Sequence, residues 1–302
     1  MPGARSIHSY LFGADMISPL IDPQMLMEQL DKPDWVVVDC RFRLTRPEAG
    51  QALYQQGHIP GARYAHLDDD LAAPPQPNDG RHPLPNPEIF VSTLESWGIS
   101  NSSIVTVYDD ASGAIAARLW WMLRWIGHES VFVLDGGIQA WERAGLPLEI
   151  SQPIWESTKF LLHEVHEEWV VQADEILNEM EQGAILVDAR SRDRFCGVSE
   201  PIDPVAGHVP GAVNYPFSEA LDSIGLMRNS KELQQDLEAF AKGDRGLIAM
   251  CGSGVTACHL LLALRVAELG DGRAYIGSWS QWIRNYDHLI ATDDDFDTTT
   301  ST

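Results

Sequence analysis

The sequence is poor in cysteine. Its 302 residues include only Cys40, Cys196, Cys251 and Cys258. Four scattered cysteines are too few for a disulfide framework, so we expect free thiols in a reducing compartment. Cys251 and Cys258 have six residues between them, whereas zinc-binding pairs usually have about two to four. The spacing therefore predicts no metal site.

Basic residues and long apolar runs are also scarce. The chain has 21 Lys and Arg against 44 Asp and Glu, a formal net charge of −23. This charge repels nucleic acid and anionic lipid, so we predict neither a nucleic-acid partner nor a membrane partner. No apolar run approaches the ~18 residues of a membrane-spanning helix, and the first residues lack the apolar core of a signal peptide. We therefore expect a cytoplasmic protein.

What the sequence does contain is an internal repeat. GHIPGA at 57–62 recurs as GHVPGA at 207–212, an offset of 150 residues. Three further pairs of segments follow in the same order: WVVVDCR (35–41) with AILVDAR (184–190), SIVTVYDDASG (103–113) with GLIAMCGSGVT (246–256), and LDGGIQAW (134–141) with YIGSWSQW (275–282). Four matching blocks at nearly constant offset indicate a duplicated domain.

Each copy reads as alternating strands and helices. Continuous apolar runs such as WVVVD are typical of parallel strands buried on both faces. Helical stretches at 114–127 and 257–270 both end in glycine, as helices tend to. The pattern predicts an α/β fold of two tandem domains, each a mostly parallel sheet flanked by helices.

Prolines and stretches without regular periodicity predict where the domains end. We predict a first domain at 17–148, a linker at 149–163, a second domain at 164–290 and a disordered tail at 291–302. A proline-rich stretch, PPQPNDGRHPLPNP at 74–87, interrupts the first copy and is expected to be a surface loop.

The segment CGSGVTAC at 251–258 is the candidate reactive site. Cys251 follows an apolar strand and precedes a helix, at the sheet edge where ligands bind in open α/β folds. Gly252 and Gly254 let the backbone turn tightly and leave its N–H groups unscreened. Such N–H groups and the helix N-terminus favour an anionic sulfur. The sequence therefore predicts that Cys251 is a nucleophile.

Two kinds of cysteine chemistry fit poorly. A cysteine phosphatase loop needs an arginine six positions after the cysteine to grip phosphate, and position 257 is Ala257. A cysteine protease needs a partner histidine, and His259 lies on the following helix, facing away from Cys251.

Together, the four repeated blocks and the loop CGSGVT resemble the tandem rhodanese family of thiosulfate and 3-mercaptopyruvate sulfurtransferases, over residues 17 to 290. The resemblance implies that Cys251 accepts sulfane sulfur, holds it as a persulfide and passes it to a thiophilic acceptor such as cyanide, a small thiol or thioredoxin. No cofactor is implied besides this covalent persulfide. The N–H groups of the following residues would cup the charged outer sulfur: Gly252, Ser253, Gly254, Val255 and Thr256.

The repeat also predicts a catalytically silent half. The position in the first copy that matches Cys251 is Asp109, an offset of 142 residues. A carboxylate cannot carry a persulfide, so the first domain should act as one wall of a cleft between the domains.

Further site residues follow from the resemblance. Arg194, in RSRDRF after a predicted strand, matches the family's arginine for the donor anion. Asp68 and His82 align with an aspartate and a histidine proposed in mercaptopyruvate enzymes to form a triad with the loop serine, here Ser253. Such a relay could protonate the departing enolate of pyruvate.

Two positions of the sequence bear on the identity of the sulfur donor. Mercaptopyruvate enzymes typically carry a second arginine nine residues after the first, where this chain has Asp203. Thiosulfate enzymes often have basic residues directly after the cysteine, where this chain has Gly252 and Ser253. Because the loop contacts the reacting sulfur, we favour 3-mercaptopyruvate as the donor. The alternatives are a thiosulfate:cyanide sulfurtransferase and a persulfide carrier with little turnover.

Overall fold

The computed structural model describes residues 18–151, 154–242 and 245–292. Its strands are β1 Leu20–Ile21, β2 Trp35–Asp39, β3 Arg63–Tyr64, β4 Ile104–Tyr108, β5 Val131–Leu134, β6 Ile185–Asp188, β7 Val213–Asn214, β8 Leu247–Met250 and β9 Arg273–Ala274. Its helices are α1 Pro23–Met27, α2 Glu48–Gln56, α3 Pro87–Ser96, α4 Ala116–Trp125, α5 Gly137–Arg143, α6 Ile176–Glu181, α7 Arg192–Phe195, α8 Ser230–Ala241, α9 Val255–Val266 and α10 Ser278–Trp282. Short 3₁₀ turns lie at Glu167–Trp169 and Phe217–Ala220.

The strands form two parallel sheets with the same topology. The first has the order β1-β5-β4-β2-β3 and the second β7-β6-β8-β9. Val170 bridges Ala274 in parallel at the outer edge of β9, at the place that β1 occupies beside β5. The predicted α/β fold of two tandem domains, each with a parallel sheet and flanking helices, is confirmed.

The sheets are parallel because their strands are apolar on both faces. All five residues of β2 and all four of β8 are buried. In each sheet, residues on the two faces belong to different core clusters, so helices must cover both sides. The central strands β4 and β8 both end at the interface between the domains. Asp109 directly follows β4, and Cys251 directly follows β8.

Helices α4 and α9 pack against each other between the two sheets. All ten residues of α4 are buried, and nine of the twelve residues of α9. A helix that is buried all round needs no polar face, which explains the dense apolar sequence AARLWWMLRW. Because α4 starts just after the Asp109 loop and α9 just after the Cys251 loop, this pair brings both loops to the domain interface.

The predicted linker, 149–163, lies against the first domain. Glu149 forms a bridge with His58, the Thr158 N–H donates to the carbonyl of Glu95, and Phe160 is buried. In the predicted tail, Ala291 forms a bridge with His208, and residues from 293 onward lie outside the described part. The domain boundaries stay predictions.

The expectation of a surface loop at 74–87 was wrong for its centre. Gly80 lies so close to Gly277 of the second domain that a Cβ would stand 2.4 Å from the Gly277 carbonyl oxygen. The Arg81 N–H donates to the Ser280 hydroxyl at 3.0 Å, and His82 is buried. The glycine permits this close approach, so the loop closes over the other domain.

Three simpler properties complete the fold. Cys40, Cys251 and Cys258 are free thiols. No helix in the described ranges is long and apolar enough to cross a membrane. Within those same ranges, no group of three or more His, Cys, Asp or Glu side chains is placed to hold a metal ion.

Candidate active site

The Cys251 loop is held by the segment that begins α10. The Cys251 N–H donates to the Ser278 hydroxyl at 3.0 Å, and the Cys251 carbonyl accepts the Trp279 N–H at 3.0 Å. Ser278 is buried and has a positive φ of 52°, unusual for a residue other than glycine. Its hydroxyl also donates to the Tyr275 carbonyl, so the backbone of Cys251 is fixed on both sides.

Gly254 makes the turn into α9. Its φ is +75°, and a Cβ there would lie 2.4 Å from the carbonyl oxygen of Ile276. Both facts require glycine. The loop therefore curls back over Cys251, and the N-terminus of α9 follows immediately.

The curled loop leaves a set of backbone donors open. Across the described chain, no acceptor bonds the N–H groups of the loop and first helical turn, which are Gly252, Ser253, Gly254, Val255 and Thr256. The first N–H groups of any helix lack partners within the helix, and this end is not capped by a side chain. Such a cluster of donors is suited to an anion.

Ser253 is joined to the first domain by a short chain of hydrogen bonds. His82 Nδ1 lies 2.8 Å from the Ser253 hydroxyl, and His82 Nε2 lies 3.0 Å from Asp68 Oδ1. The structure thus brings these three predicted residues together, although 171 positions separate His82 from Ser253.

Protonation in this chain follows from burial. Burial lowers the pKa of His82, and its hydrogen bond to Asp68 only partly opposes that effect. The hydrogen bond from His82 lowers the pKa of Asp68. A neutral imidazole then donates its Nε2–H to Asp68 and accepts the Ser253 hydroxyl proton at Nδ1.

Arg194 lies beside the loop, where the sequence predicted an anion-binding arginine. Its Nε donates to Glu200 at 2.8 and 2.9 Å, and its Nη2 donates to Asp203 at 3.1 Å. The guanidinium borders Gly252, where a Cβ would lie 3.3 Å from Nη2. Its Nη1 has no hydrogen-bond acceptor among residues 18–151, 154–242 and 245–292.

A second guanidinium, missed by the sequence reasoning, reaches the same place. Arg81 donates to Asp203 through Nη1 at 2.9 Å and through Nη2 at 3.3 Å. A Cβ on Gly252 would lie 3.7 Å from its Nη2. The position that holds an arginine in mercaptopyruvate enzymes therefore holds a carboxylate that orients an arginine of the other domain.

The cleft above Cys251 is small and mostly apolar. Its volume is about 160 Å³, and both domains line it. Apolar side chains form the walls, which are Phe42, Leu44, Leu67, Ile115, Ile202 and Val255. Arg81, His82 and Arg194 supply the polar side chains opposite the Cys251 loop. A site of this shape admits a small organic anion.

The Asp109 loop is anchored through its backbone like the Cys251 loop, but its N–H groups have a different acceptor. Its carbonyl accepts the Ile138 N–H at 2.9 Å, as that of Cys251 accepts the Trp279 N–H. The Asp109 carboxylate, however, accepts four backbone N–H groups of its own loop at 2.7–2.8 Å, those of Ala111, Gly113, Ile115 and Ala116. The carboxylate thus occupies the donors that remain open around Cys251.

Comparison with known proteins agrees with this geometry. Residues 22–144 and 172–285 match the rhodanese-like domain. A Pseudomonas aeruginosa protein named "Probable 3-mercaptopyruvate sulfurtransferase" is 43% identical over 280 residues, covering 91% of this chain and 98% of that protein. A mitochondrial thiosulfate/3-mercaptopyruvate sulfurtransferase of Arabidopsis thaliana is 33% identical, covering 87% of this chain and 76% of that protein. The crystal structure of a 3-mercaptopyruvate sulfurtransferase from Escherichia coli aligns with a TM-score of 0.73 and 31% identity, over 87% of this chain and 99% of that one.

Proposed function

The chain belongs to the rhodanese family, and on that premise we propose that it is a 3-mercaptopyruvate sulfurtransferase. Cys251 takes sulfane sulfur from the donor as a persulfide and passes it to a thiophilic acceptor, such as cyanide, a small thiol or a thioredoxin-type protein. The persulfide is covalent, and no separate cofactor is proposed. A reactive Cys251 together with the free thiols of Cys40 and Cys258 supports a cytoplasmic location, where thiols stay reduced.

The observation that carries this proposal is the open cup of N–H groups around Cys251. A persulfide places its negative charge on the outer sulfur, beyond the reach of donors that hold only a thiolate. The five unbonded N–H groups from Gly252 to Thr256 extend over one helical turn and offer donors at this greater distance. Oriented backbone dipoles that need no rearrangement are an efficient means of stabilising such charge.

The transfer step moves one sulfur atom and no net charge. The Cys251 thiolate attacks the sulfur of 3-mercaptopyruvate, forming an S–S bond as the C–S bond breaks. The electron pair of the C–S bond leaves as the enolate of pyruvate. The proton that was on the donor thiol returns to that carbon, giving pyruvate and an anionic persulfide. Attack of cyanide on the outer sulfur then restores the thiolate and releases thiocyanate.

The Ser253–His82–Asp68 chain supports the movement of that proton. His82 is neutral near pH 7 because burial lowers its pKa, so it can accept a proton through the Ser253 hydroxyl. Asp68 stabilises the imidazolium that forms. The same chain returns the proton to the departing carbon, as a general acid does.

Two guanidinium groups support a carboxylate-bearing donor. Arg194 and Arg81 both border Gly252, next to Cys251. A 2-oxo acid offers a carboxylate and a carbonyl oxygen to such a pair, and planar anions favour two-point recognition by arginine. Arg81 therefore takes the place of the second arginine that the sequence lacks at Asp203.

The test compares kcat/KM for 3-mercaptopyruvate and for thiosulfate in one cyanide assay, with intact mass measured after each donor. We expect 3-mercaptopyruvate to be preferred by at least about tenfold, or about 1.4 kcal/mol. The protein should gain the mass of one sulfur atom, and cyanide should remove it. A tenfold preference for thiosulfate would show that the donor is wrong.

Two variants sharpen that experiment. Cys251→Ser should gain no sulfur, which excludes labelling at the other three cysteines. Arg194→Ala should raise KM for 3-mercaptopyruvate with little change in kcat. Sulfur uptake without turnover toward any acceptor would instead indicate a persulfide carrier.

A further inference from the structure

Arg118 is a fully buried cation that the proposed chemistry does not use. It lies in α4, in the first domain, and has no solvent exposure. Its Nη2 donates to the carbonyls of His82 at 3.1 Å and Leu71 at 3.3 Å, and its Nη1 lies 3.4 Å from the carbonyl of Gly254. Arg118 thus joins the two segments that carry His82 and Cys251.

No carboxylate pairs with Arg118 in the described part of the chain. The other buried arginines there, Arg41, Arg124 and Arg190, each form an ion pair with Asp or Glu. Arg118 has only carbonyls and the Cys258 thiol as partners, and its Nε has none. Burying an unpaired guanidinium costs several kcal/mol, so a compensating interaction is expected.

Elsewhere around Cys251 the formal charges cancel. Arg81, Arg190 and Arg194 are joined to Asp188, Glu200 and Asp203, three positive charges against three negative ones. Asp68 is 39% exposed, so water screens its charge, and its partner His82 is neutral. Arg118 is therefore a charge that neither a carboxylate nor water neutralises.

The duplicate domain provides a natural control. Position 118 plus the repeat offset of 141 residues is His259, the offset that also relates Gly113 to Gly254. His259 reaches across the interface in the opposite direction, and its Nε2–H donates to the Ser112 carbonyl of the Asp109 loop at 3.1 Å. Burial lowers the pKa of His259 to about 4, so it is neutral at pH 7. The silent loop faces a neutral group, and the cysteine loop faces a cation.

We propose that Arg118 is the buried counter-charge of the Cys251 sulfur, a positioning residue that stabilises the thiolate and the persulfide from behind the active-site loop. It acts through the Gly254 carbonyl and the loop N–H groups rather than by contact with the donor. The proposal rests on the proposed function only in taking Cys251 as the sulfur carrier.

Other charged or titratable groups also face Cys251. They are Asp68, Arg81 and His82 from the first domain, Arg194 and Asp203 from α7 and the segment after it, and Cys258 from α9. Burial raises the pKa of Cys258 to about 12, so it stays a neutral thiol. The experiment must distinguish the effect of Arg118 on the Cys251 sulfur from the effects of the exposed groups in this set.

The experiment measures alkylation of Cys251 by iodoacetamide against pH, read on the peptide that contains it. This readout needs no sulfur donor, so it can fail or succeed independently of the proposed donor. In Arg118→Met and Arg118→Gln, we expect the pH midpoint of alkylation to rise by about one unit or more, with a tenfold lower rate near pH 7. Arg118→Lys keeps the charge and should keep the midpoint.

Arg124 provides the matched control variant. It lies six residues further along the same helix and is buried, but it pairs with Glu129 and Asp271. Arg124→Met should lower the melting temperature and leave the alkylation midpoint unchanged. An equal shift in Arg118→Lys and Arg118→Gln, or no shift in Arg118→Gln, would overturn the proposal.

A measurement on the unaltered protein covers the case in which the charge-removing variants do not fold. Between about 0.05 M and 0.5 M salt, the midpoint should stay constant, because counterions do not reach a buried charge. A midpoint that rises by a unit in high salt would assign the stabilisation to the exposed Arg81 and Arg194, and the proposal would be wrong.

Discussion

The loops after β4 and β8 have matching backbone anchors, and they differ in what their N–H groups hold. In the first, the Asp109 carboxylate accepts four of its own backbone N–H groups and is fully buried. In the second, Cys251 leaves the corresponding donors without an acceptor. One loop is satisfied by its own side chain, and the other is completed only when an anion arrives on the sulfur.

The comparison teaches that the same kind of loop can be closed by a fixed carboxylate or left open around a thiol. A carboxylate is held permanently, whereas a persulfide sulfur can leave and return. The difference also extends behind each loop, where Arg118 faces the cysteine and His259 faces the aspartate. Three variants test how far the loops are equivalent.

The largest effect is expected from Cys251→Asp, which gives the second loop the carboxylate that the first loop has. Sulfur transfer should fall by at least about 10³-fold, because no thiol remains to attack the donor. The new carboxylate should accept the open N–H groups, so the melting temperature should exceed that of Cys251→Ser. Thermal unfolding of the two variants side by side, with turnover measured in parallel, checks both outcomes.

A melting temperature of Cys251→Asp below that of Cys251→Ser would contradict this equivalence. It would mean that the backbone N–H groups of the second loop cannot all donate to a carboxylate. The serine variant is the appropriate control because it also lacks the thiol but carries no charge.

The second-largest effect is expected from Asp109→Ala, which removes the carboxylate of the first loop. Four backbone N–H groups, two of them buried, lose a charged acceptor, which should lower the free energy of unfolding by about 3 kcal/mol. Turnover at saturating donor should stay within about threefold of the unaltered protein. Denaturant unfolding and steady-state kinetics measure the two quantities. A loss of turnover in protein that is still folded would show that the first loop takes part in the reaction.

The smallest effect concerns acid stability and His259. Its pKa of about 4 lies below the 6.5 of an exposed histidine, so the unfolded chain binds the extra proton as the pH falls from 6.5 toward 4. The unaltered protein should therefore lose about 2 kcal/mol of stability to this residue between pH 7.5 and pH 5. His259→Phe should remove that part of the pH dependence, while losing only the hydrogen bond to Ser112.

Denaturant unfolding of His259→Phe and of the unaltered protein at both pH values measures the loss of stability in each. Identical pH slopes for His259→Phe and the unaltered protein would show that His259 is not the source of the acid sensitivity.

Much of this site could be predicted from the sequence because the repeat supplies its own alignment. Comparing position 251 with position 109 predicts both the nucleophile and the silent half. The parallel sheets followed from apolar runs that have no polar alternation. The predicted placement of Asp68, His82 and Ser253 depended on the family resemblance, since no local pattern joins residues 171 positions apart.

The residues that were missed act across the domain interface. Arg118 is 136 positions from Gly254, and Arg81 is 122 positions from Asp203. The signal for Arg118 was the first of two arginines in a mostly apolar run, AARLWWMLRW, at the position that matches His259 in the repeat. The loop at 74–87 was misjudged because its prolines and polar residues are typical of a surface, and only Gly80 indicates a close approach to another backbone.

The pair formed by α4 and α9 also has a consequence for how the molecule unfolds. Both helices are largely apolar, so separating the domains would expose two mostly apolar surfaces together with the buried Arg118. Exposing so much apolar surface at this boundary is unfavourable for either half alone. We therefore expect one cooperative transition in calorimetry, with equal van't Hoff and calorimetric enthalpies, although the chain contains two domains of the same fold.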